Sequence, residues 1–419
     1  MYIGDAHLFC EMKIVFFTNN YMPKPFANGV CVHALAKESV RQGWITHVVC
    51  TGNWRTHKSE VIDGVIVHKL RVPFYKILFD YHDNHKTALL GKIAYKLGRL
   101  IALGKKLIHI SEYPLQDQCL VKRYVKECRT IISGNEEVIL VATYTPMEGI
   151  KAGALLKKRY PNIRAVYYSL DTLSNEAGYG FLPERIRSTM GIEQELKYFD
   201  IYDKILLMNC HKKHYEAFVF SDYCFKMLWA DFPLFLPLGD IPHRKTLMIV
   251  YTGTLYRGIR NPRPALELLS SILDTYSVHF YGHSDCDDIL DEFALIFPGH
   301  VVNHGLVPHK EALRAVSSAD ILLSIGNAHT EMAPSKIYEQ MSTGKPIIHV
   351  YSEKNDPCLP LLIEYNNALC VDTNNVAQVD INHFINGLKY LGKTELEGKF
   401  KEASPQYSLK AITELDENC

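Results

Sequence analysis

Residues 330–350 read T-E-M-A-P-S-K-I-Y-E-Q-M-S-T-G-K-P-I-I-H-V. Pro334 suits the first position of a helix, where its missing N–H costs nothing and its fixed φ is already helical. Ile337 and Met341 stand one turn apart and mark a buried face. Thr343-Gly344 ends the helix, glycine being suited to a left-handed cap. Lys345-Pro346 then leads into Ile347-Ile348-His349-Val350, an apolar run with the length of a buried strand.

The start of that helix is furnished for an anion. Free N–H groups and the positive dipole end would face a phosphate, and Lys336, just after Ser335, adds a full charge. Glu331 lies before the helix and Glu339 inside it. Carboxylate oxygens beside a phosphate site suit hydroxyl-rich ligands, because each accepts hydrogen bonds from sugar O–H groups. The plain alternative is a solvated helix face.

Glu331 and Glu339 form an E-x7-E pair, joined to Pro-Ser-Lys, a Gly-Lys-Pro exit and an apolar strand. The stretch resembles the E-x7-E region of retaining glycosyltransferases of the GT-B fold, family 4, in the branch that builds bacterial surface polysaccharides. That resemblance implies an α/β protein of two doubly wound, Rossmann-like domains facing a cleft. It also implies a nucleotide diphospho-sugar as donor substrate, with no cofactor and no bound metal.

The whole chain sets wider bounds. Its 419 residues are enough for two domains. With 47% hydrophobic and 22% charged residues it has the composition of an ordinary globular protein. Lys and Arg total 46 and so do Asp and Glu, which leaves no basic footprint for nucleic acid. No apolar run is long enough to span a bilayer. Residues 1–11 lack the basic start and apolar core of a signal peptide, fit no element, and read as an extension or an upstream start. The eleven cysteines are scattered without C-x-x-C pairs. Free thiols in a cytoplasmic protein are therefore expected, not a disulfide framework or a zinc site.

In chain order, Lys13-Ile14-Val15-Phe16-Phe17-Thr18 predicts a buried strand, residues 30–42 a helix stopped by Gly43, and residues 46–51 a second strand, together a βαβ unit. Gly29 lies in the intervening loop, and the string around it resembles the opening of family 4 enzymes, where that loop faces the cleft. Asp63-Gly64 predicts a hairpin turn. Residues 86–109 predict a long helix. Leu90, Ile93, Leu97, Leu100, Ile101 and Leu107-Ile108 give it an apolar stripe, with Lys92, Lys96, Arg99 and Lys106 opposite. Two readings stand: a helix packed on its own domain, or an interfacial helix at anionic lipid.

Strands at residues 137–143 and 164–170 deliver Tyr144 and Asp171 at their carboxyl ends, where ligands gather in such sheets. Asp171 is a ligand candidate or a turn cap. Two more strands, at residues 203–208 and 226–230, complete this half. The Pro-rich residues 232–245 read as a linker. Residues 247–251 then restart the alternation and run into T-G-T-L-Y-R-G-I-R-N-P, residues 252–262. A strand, a glycine turn (Gly253, Thr254), cations and a helix suit a diphosphate. The string resembles the family's diphosphate loop. Of Arg257 and Arg260, the second is favoured beside Asn-Pro, where many members carry a lysine. Residues 304–308, with Val307, resemble the loop whose backbone meets the base.

These readings give domains at 12–235 and 246–390, with a helical segment 391–419 packing back on the first. The resemblance implies a retaining, hexosyltransferase-like enzyme that carries a sugar to an acceptor hydroxyl. The acceptor would be a glycan or a lipid-linked one, the enzyme cytoplasmic or peripheral on the membrane's inner face. Glu331, Arg260, Lys336 and Asp171 would be catalytic. Glu339, Gly253, Thr254, Gly29, Val307 and Ser335 would hold the donor. The family's first-domain histidine is missing from T-Y-T-P and S-L-D-T, leaving Asp171, Tyr144 or His33 to replace it. A nucleotide-sugar epimerase of the same fold and a non-catalytic binding partner are the alternatives.

Overall fold

The computed structural model describes residues 12–23, 25–52, 59–85, 88–132, 137–175, 181–234, 247–328 and 335–414. The chain forms two compact units, Met1–Asp231 with Pro405–Cys419, and Phe232–Ser404.

The first unit contains β1 (Lys13–Asn20), α1 (Ala27–Arg41), β2 (Ile45–Thr51), β3 (Ser59–Ile62), β4 (Val65–Leu70), α2 (Phe74–Asn84), α3 (Leu89–Ile108) and α4 (Gln118–Ile131). It continues with β5 (Val138–Thr143), α5 (Met147–Arg159), β6 (Arg164–Ser169), α6 (Glu184–Phe199), β7 (Lys204–Met208), α7 (Lys212–Tyr215) and β8 (Met227–Ala230). Its eight strands lie in the order β3-β4-β2-β1-β5-β6-β7-β8. All neighbours are parallel except β3 against β4, joined at Asp63-Gly64 with both residues at positive φ. Every residue of β5 and β7 is buried, as continuous apolar strands covered on both faces must be.

The second unit contains β9 (Leu247–Thr252), α8 (Arg263–Leu269), β10 (Tyr276–Tyr281), α9 (Asp287–Ile296), β11 (Val301–Gly305), α10 (His309–Ser318) and β12 (Ile321–Ile325). Then come α11 (Lys336–Met341), β13 (Ile347–Tyr351), α12 (Cys358–Tyr365), β14 (Ala368–Asp372), α13 (Ile381–Asn386) and α14 (Lys393–Lys399). Its six strands, in the order β11-β10-β9-β12-β13-β14, are all parallel. The last helix, α15 (Pro405–Thr413), belongs to the first unit, where it packs on α1, β7 and β8. The segment 391–419 therefore divides: α14 stays with the second unit. The chain passes between units at Asp231 and Phe232, and residues 235–246 of the Pro-rich stretch lie outside the described residues.

Two elements differ from the sequence reading. Helix α1 begins at Ala27, so Gly29 sits in its first turn and not in a loop. A Cβ there would lie 2.2 Å from the Asn20 carbonyl oxygen, so only glycine lets the helix start against the end of β1. Helix α3 departs further. Its buried face is Gly91, Ala94 and Gly98, not the leucines. A Cβ on Gly91 would meet the His85 carbonyl at 2.0 Å and one on Gly98 the Phe79 ring at 2.8 Å, so small residues let α3 lie against α2. Leu90, Ile93, Leu97, Leu100, Leu107 and Ile108 are exposed, and so are Lys92, Lys96 and Arg99, while Lys106 is half-buried. At 100° per residue the cations centre about 130° from the apolar stripe, and both sets lie away from the packed glycine face.

Candidate functional site

In an open parallel sheet, ligands gather beyond the carboxyl ends of the strands where the order reverses. In the second unit that point lies between β9 and β12, and in the first between β1 and β5.

At the second unit's switch point the loops after β9 and β12 are bonded to each other. The Arg260 Nε donates to Asn327 Oδ1 at 2.5 Å, and the Ala328 N–H donates to the Ile259 carbonyl at 2.8 Å. Thr254 is half-buried, and its carbonyl accepts from the Tyr251 hydroxyl at 3.2 Å and from Arg260 Nη1 at 3.5 Å. Gly253 donates its N–H to the Tyr281 carbonyl at 2.9 Å. Arg257 is engaged elsewhere: its N–H donates to Asp285 Oδ1 at 2.7 Å and its guanidinium pairs with Asp288. Its charge is already met by carboxylates, whereas Arg260 is held at the switch point by neutral amide and carbonyl oxygens.

Helix α11 follows Ser335, which is half-buried, and buries Ile337, Tyr338 and Met341. It has only six residues, so its dipole is a weaker source of positive potential than a long helix would supply. The side chains carry the field instead. Lys336 lies within electrostatic reach of Glu339 and Arg260. Desolvation and then the Arg260 charge push the Lys336 pKa down against Glu339, although the residue keeps an exposed surface, which limits the effect. Burial raises the pKa of Glu339, and Lys336 opposes it. His309, two residues beyond the half-buried Val307, has its pKa lowered by burial and then by Lys336. The structure thus brings Arg260, Lys336 and Glu339 together, with His309 as a member that sequence reasoning missed. Glu331 and Pro334 lie outside the described residues. The Gly-Lys-Pro exit has a structural cause: buried Lys345 donates Nζ to the carbonyls of Val316 (2.8 Å), Ser317 (2.5 Å) and Ala319 (2.6 Å), closing the end of α10. Gly344 has a φ of 71°, the left-handed conformation expected of it.

In the first unit, Asn28 Nδ2 donates to the Tyr144 carbonyl at 2.8 Å, tying the Gly29 turn to the loop after β5. Tyr144 and Thr145, with Tyr75, Lys76, Gln116 and Glu148, line a cleft of about 120 Å³. Glu148 is buried, and its Oε1 accepts from the N–H groups of Asp117 (2.7 Å) and Gln116 (3.2 Å). Burial raises its pKa despite these bonds and the Lys76 charge. Asp171 is half-buried one strand further along, and its carbonyl accepts from Ser169 Oγ at 2.9 Å. His33 is engaged on both ring nitrogens, by the Tyr21 hydroxyl at 2.7 Å and Asp63 Oδ2 at 3.2 Å. Another histidine stands closer to the end of β6. His211 is buried and donates Nε2 to the Leu170 carbonyl at 3.2 Å, and burial lowers its pKa. Its place just past the end of β7 was the signal that could have found it.

No helix among the described residues is long and apolar enough to cross a membrane. The cysteines of the described residues are free thiols.

No protein-family model matches the chain, and no curated protein sequence matches it. Solved structures do. HepE of Anabaena, solved in complex with UDP and glucose, is 13% identical; the match covers 96% of this chain and 94% of that one at a TM-score of 0.53. The catalytic domain of starch synthase IV from Arabidopsis thaliana, bound to ADP and acarbose, is 10% identical, with 96% and 95% covered at a TM-score of 0.53. WaaG, a glycosyltransferase involved in lipopolysaccharide biosynthesis, is 12% identical, with 96% and 99% covered at a TM-score of 0.50. At such identities the likeness shows the fold: the two α/β units of this chain have the GT-B fold.

Proposed function

We propose that the protein is a retaining glycosyltransferase that moves a hexosyl group from a nucleotide diphospho-sugar to an acceptor hydroxyl, in the synthesis of a surface polysaccharide or glycolipid. The observation that carries this reading is the cluster of Arg260, Lys336 and Glu339 at the switch point of the second sheet, with Arg260 fixed by Asn327. When the bond from the anomeric carbon to the diphosphate breaks, negative charge grows on the leaving oxygens. Arg260 and Lys336 are the groups assigned to stabilise it, so the cations that meet the diphosphate are the protein's own. Gly253 and Thr254 bring backbone up to it. Glu339 accepts hydrogen bonds from ribose hydroxyls, Ser335 donates to the phosphates, and Val307 lies along the base. Glu331 is assigned to the sugar. Asp171 is assigned a catalytic role and Gly29 a part in holding the donor. HepE with UDP and glucose and starch synthase IV with ADP support a nucleotide-sugar donor, without choosing the base.

The exposed face of α3 supports a lipid-linked acceptor. Leaving a leucine or isoleucine in water forgoes about 1.5–3 kcal/mol of burial each, and an apolar stripe on a helix that also exposes cations suits an anionic bilayer. We place the protein at the inner face of the membrane, held there by α3.

The test is incubation with labelled UDP-, GDP- and ADP-sugars together with a lipid extract. Transfer of label to lipid is expected. An isomerised donor would make the protein an epimerase, and a bound, unchanged donor would make it a binding protein.

A further inference from the structure

Behind the β12 loop lies a group of ligating side chains that the proposed transfer does not use. His349 on β13, Asp356 in the following loop and Cys358 at the start of α12 are all buried, and their ligand atoms lie within 4.8 Å of one another. His349 Nδ1 is hydrogen-bonded to Ser324 Oγ at 2.9 Å, across the register pair of β12 and β13. Its Nε2 is buried without a hydrogen-bond partner among the described residues and faces Asp356 Oδ2 at 3.4 Å. A charge-assisted hydrogen bond would draw these atoms to about 2.7–2.9 Å. Two ligands each about 2.1 Å from a tetrahedral ion stand about 3.4 Å apart.

We propose that His349, Asp356 and Cys358 form a binding site for one zinc ion in the second unit, with a water in the fourth position. Nitrogen, carboxylate and thiol donors together suit a borderline-soft d¹⁰ ion. In the metal-bound tautomer Nδ1–H donates to Ser324 Oγ and Nε2 offers its lone pair, so Ser324 orients the ring. Asp356 Oδ1 already accepts from the Cys358 N–H at 2.7 Å, which fixes the carboxylate and leaves Oδ2 for the ion. Cys358 gives up one proton to solvent and binds as thiolate. Zinc binding releases that proton, so affinity rises with pH.

The site is a brace and not a catalytic centre. A Cβ on Gly326 would fall 2.1 Å from Asp356 Oδ2, so the loop after β12 rests directly on this carboxylate. The next residue, Asn327, holds Arg260. Fixing Asp356 to an ion fixes the support of the arginine, a consequence that rests on the function proposed above; the ion site itself does not.

The test uses no nucleotide, so its failure and that of the transferase reading are separable. Full-length protein stripped with a chelator is titrated with zinc chloride against a chromophoric competitor, and a second sample with cobalt(II) chloride. One ion per chain is expected, with a thiolate-to-cobalt charge-transfer band that Cys358→Ser abolishes. His349→Gln and Cys358→Ser should each weaken zinc at least tenfold, while Cys119→Ser and Cys224→Ser, at exposed thiols, should not. Should the first two fail to fold, Ser324→Ala removes only the orienting bond and should weaken zinc by about tenfold to hundredfold. Absence of stoichiometric binding, of the cobalt band in the native protein, or of any effect of these substitutions overturns the proposal.

Discussion

Arg260 and Arg257 are three residues apart and alike in sequence, and their difference lies in partners supplied from afar. Asp288 pairs with the Arg257 guanidinium and Asp285 takes its N–H, while Asn327 holds Arg260 without cancelling its charge. Arg260→Ala should therefore lower turnover more than nucleoside diphosphate affinity, because the charge it meets grows in the transition state. Steady-state kinetics beside direct nucleotide titration checks this, and an equal loss in both would make Arg260 a structural residue. Glu339→Ala should weaken nucleoside diphosphate binding by about 1.5–3 kcal/mol, the range for hydrogen bonds to a charged group. An unchanged affinity in a folded variant removes Glu339 from the site. Motif and resemblance offered Arg260, Lys336 and Glu339 as candidates, and folding places the three within electrostatic reach of one another. Sequence reading missed Glu148, His211 and His309, because a lone acid or histidine becomes a candidate only when folding surrounds it.

Helix α3 shows what hydropathy patterning can and cannot reveal. The stripe of leucines was legible, but its direction was not, because Gly91, Ala94 and Gly98 claim the packed face through close approach to α2. The native protein should sediment with anionic vesicles at low salt. Changing Lys92, Lys96, Arg99 and Lys106 together to Gln should reduce this, at about 1 kcal/mol per cation, and added salt should do the same to the native protein. Native protein that ignores anionic vesicles at low salt would return the acceptor to the soluble class. Helix α1 offers a separate test. Glu38 is buried; it accepts from Arg41 twice at 2.7 Å, from Gln42 at 2.9 Å and from Gln406 of α15 at 3.2 Å. Burial would raise its pKa, but the bonds from Arg41 and Gln42 outweigh it and hold the carboxyl below the ordinary glutamate range. A depressed carboxylate stabilises the fold above its unfolded pKa, and that stabilisation fades as pH falls through the folded value. Glu38→Gln should thus lower stability in urea unfolding near neutrality, by no more than about 1 kcal/mol because the Arg41 partner is largely exposed. The gap from the native protein should close below about pH 4.

At the scale of the molecule, the alternation of apolar runs, glycine turns and helical periods made strands and a βαβ unit legible, and the resemblance implied the two doubly wound sheets that the structure has. Less legible were α2, α4 and α6, whose sequences carry no ligand-like signal, and the split of the tail between units. That split depends on where α15 finds a face to cover, on α1, β7 and β8. We propose that the second unit holds a nucleoside diphosphate through Arg260, Lys336 and Glu339. Thermal unfolding of the native protein and of Arg260→Ala with UDP, GDP or ADP tests it most directly. One nucleotide should stabilise the native protein by about 2.7 kcal/mol at a hundred times its dissociation constant, and should stabilise Arg260→Ala less. Native protein stabilised by none of the three, or Arg260→Ala stabilised just as much, would show that these residues do not hold the nucleotide.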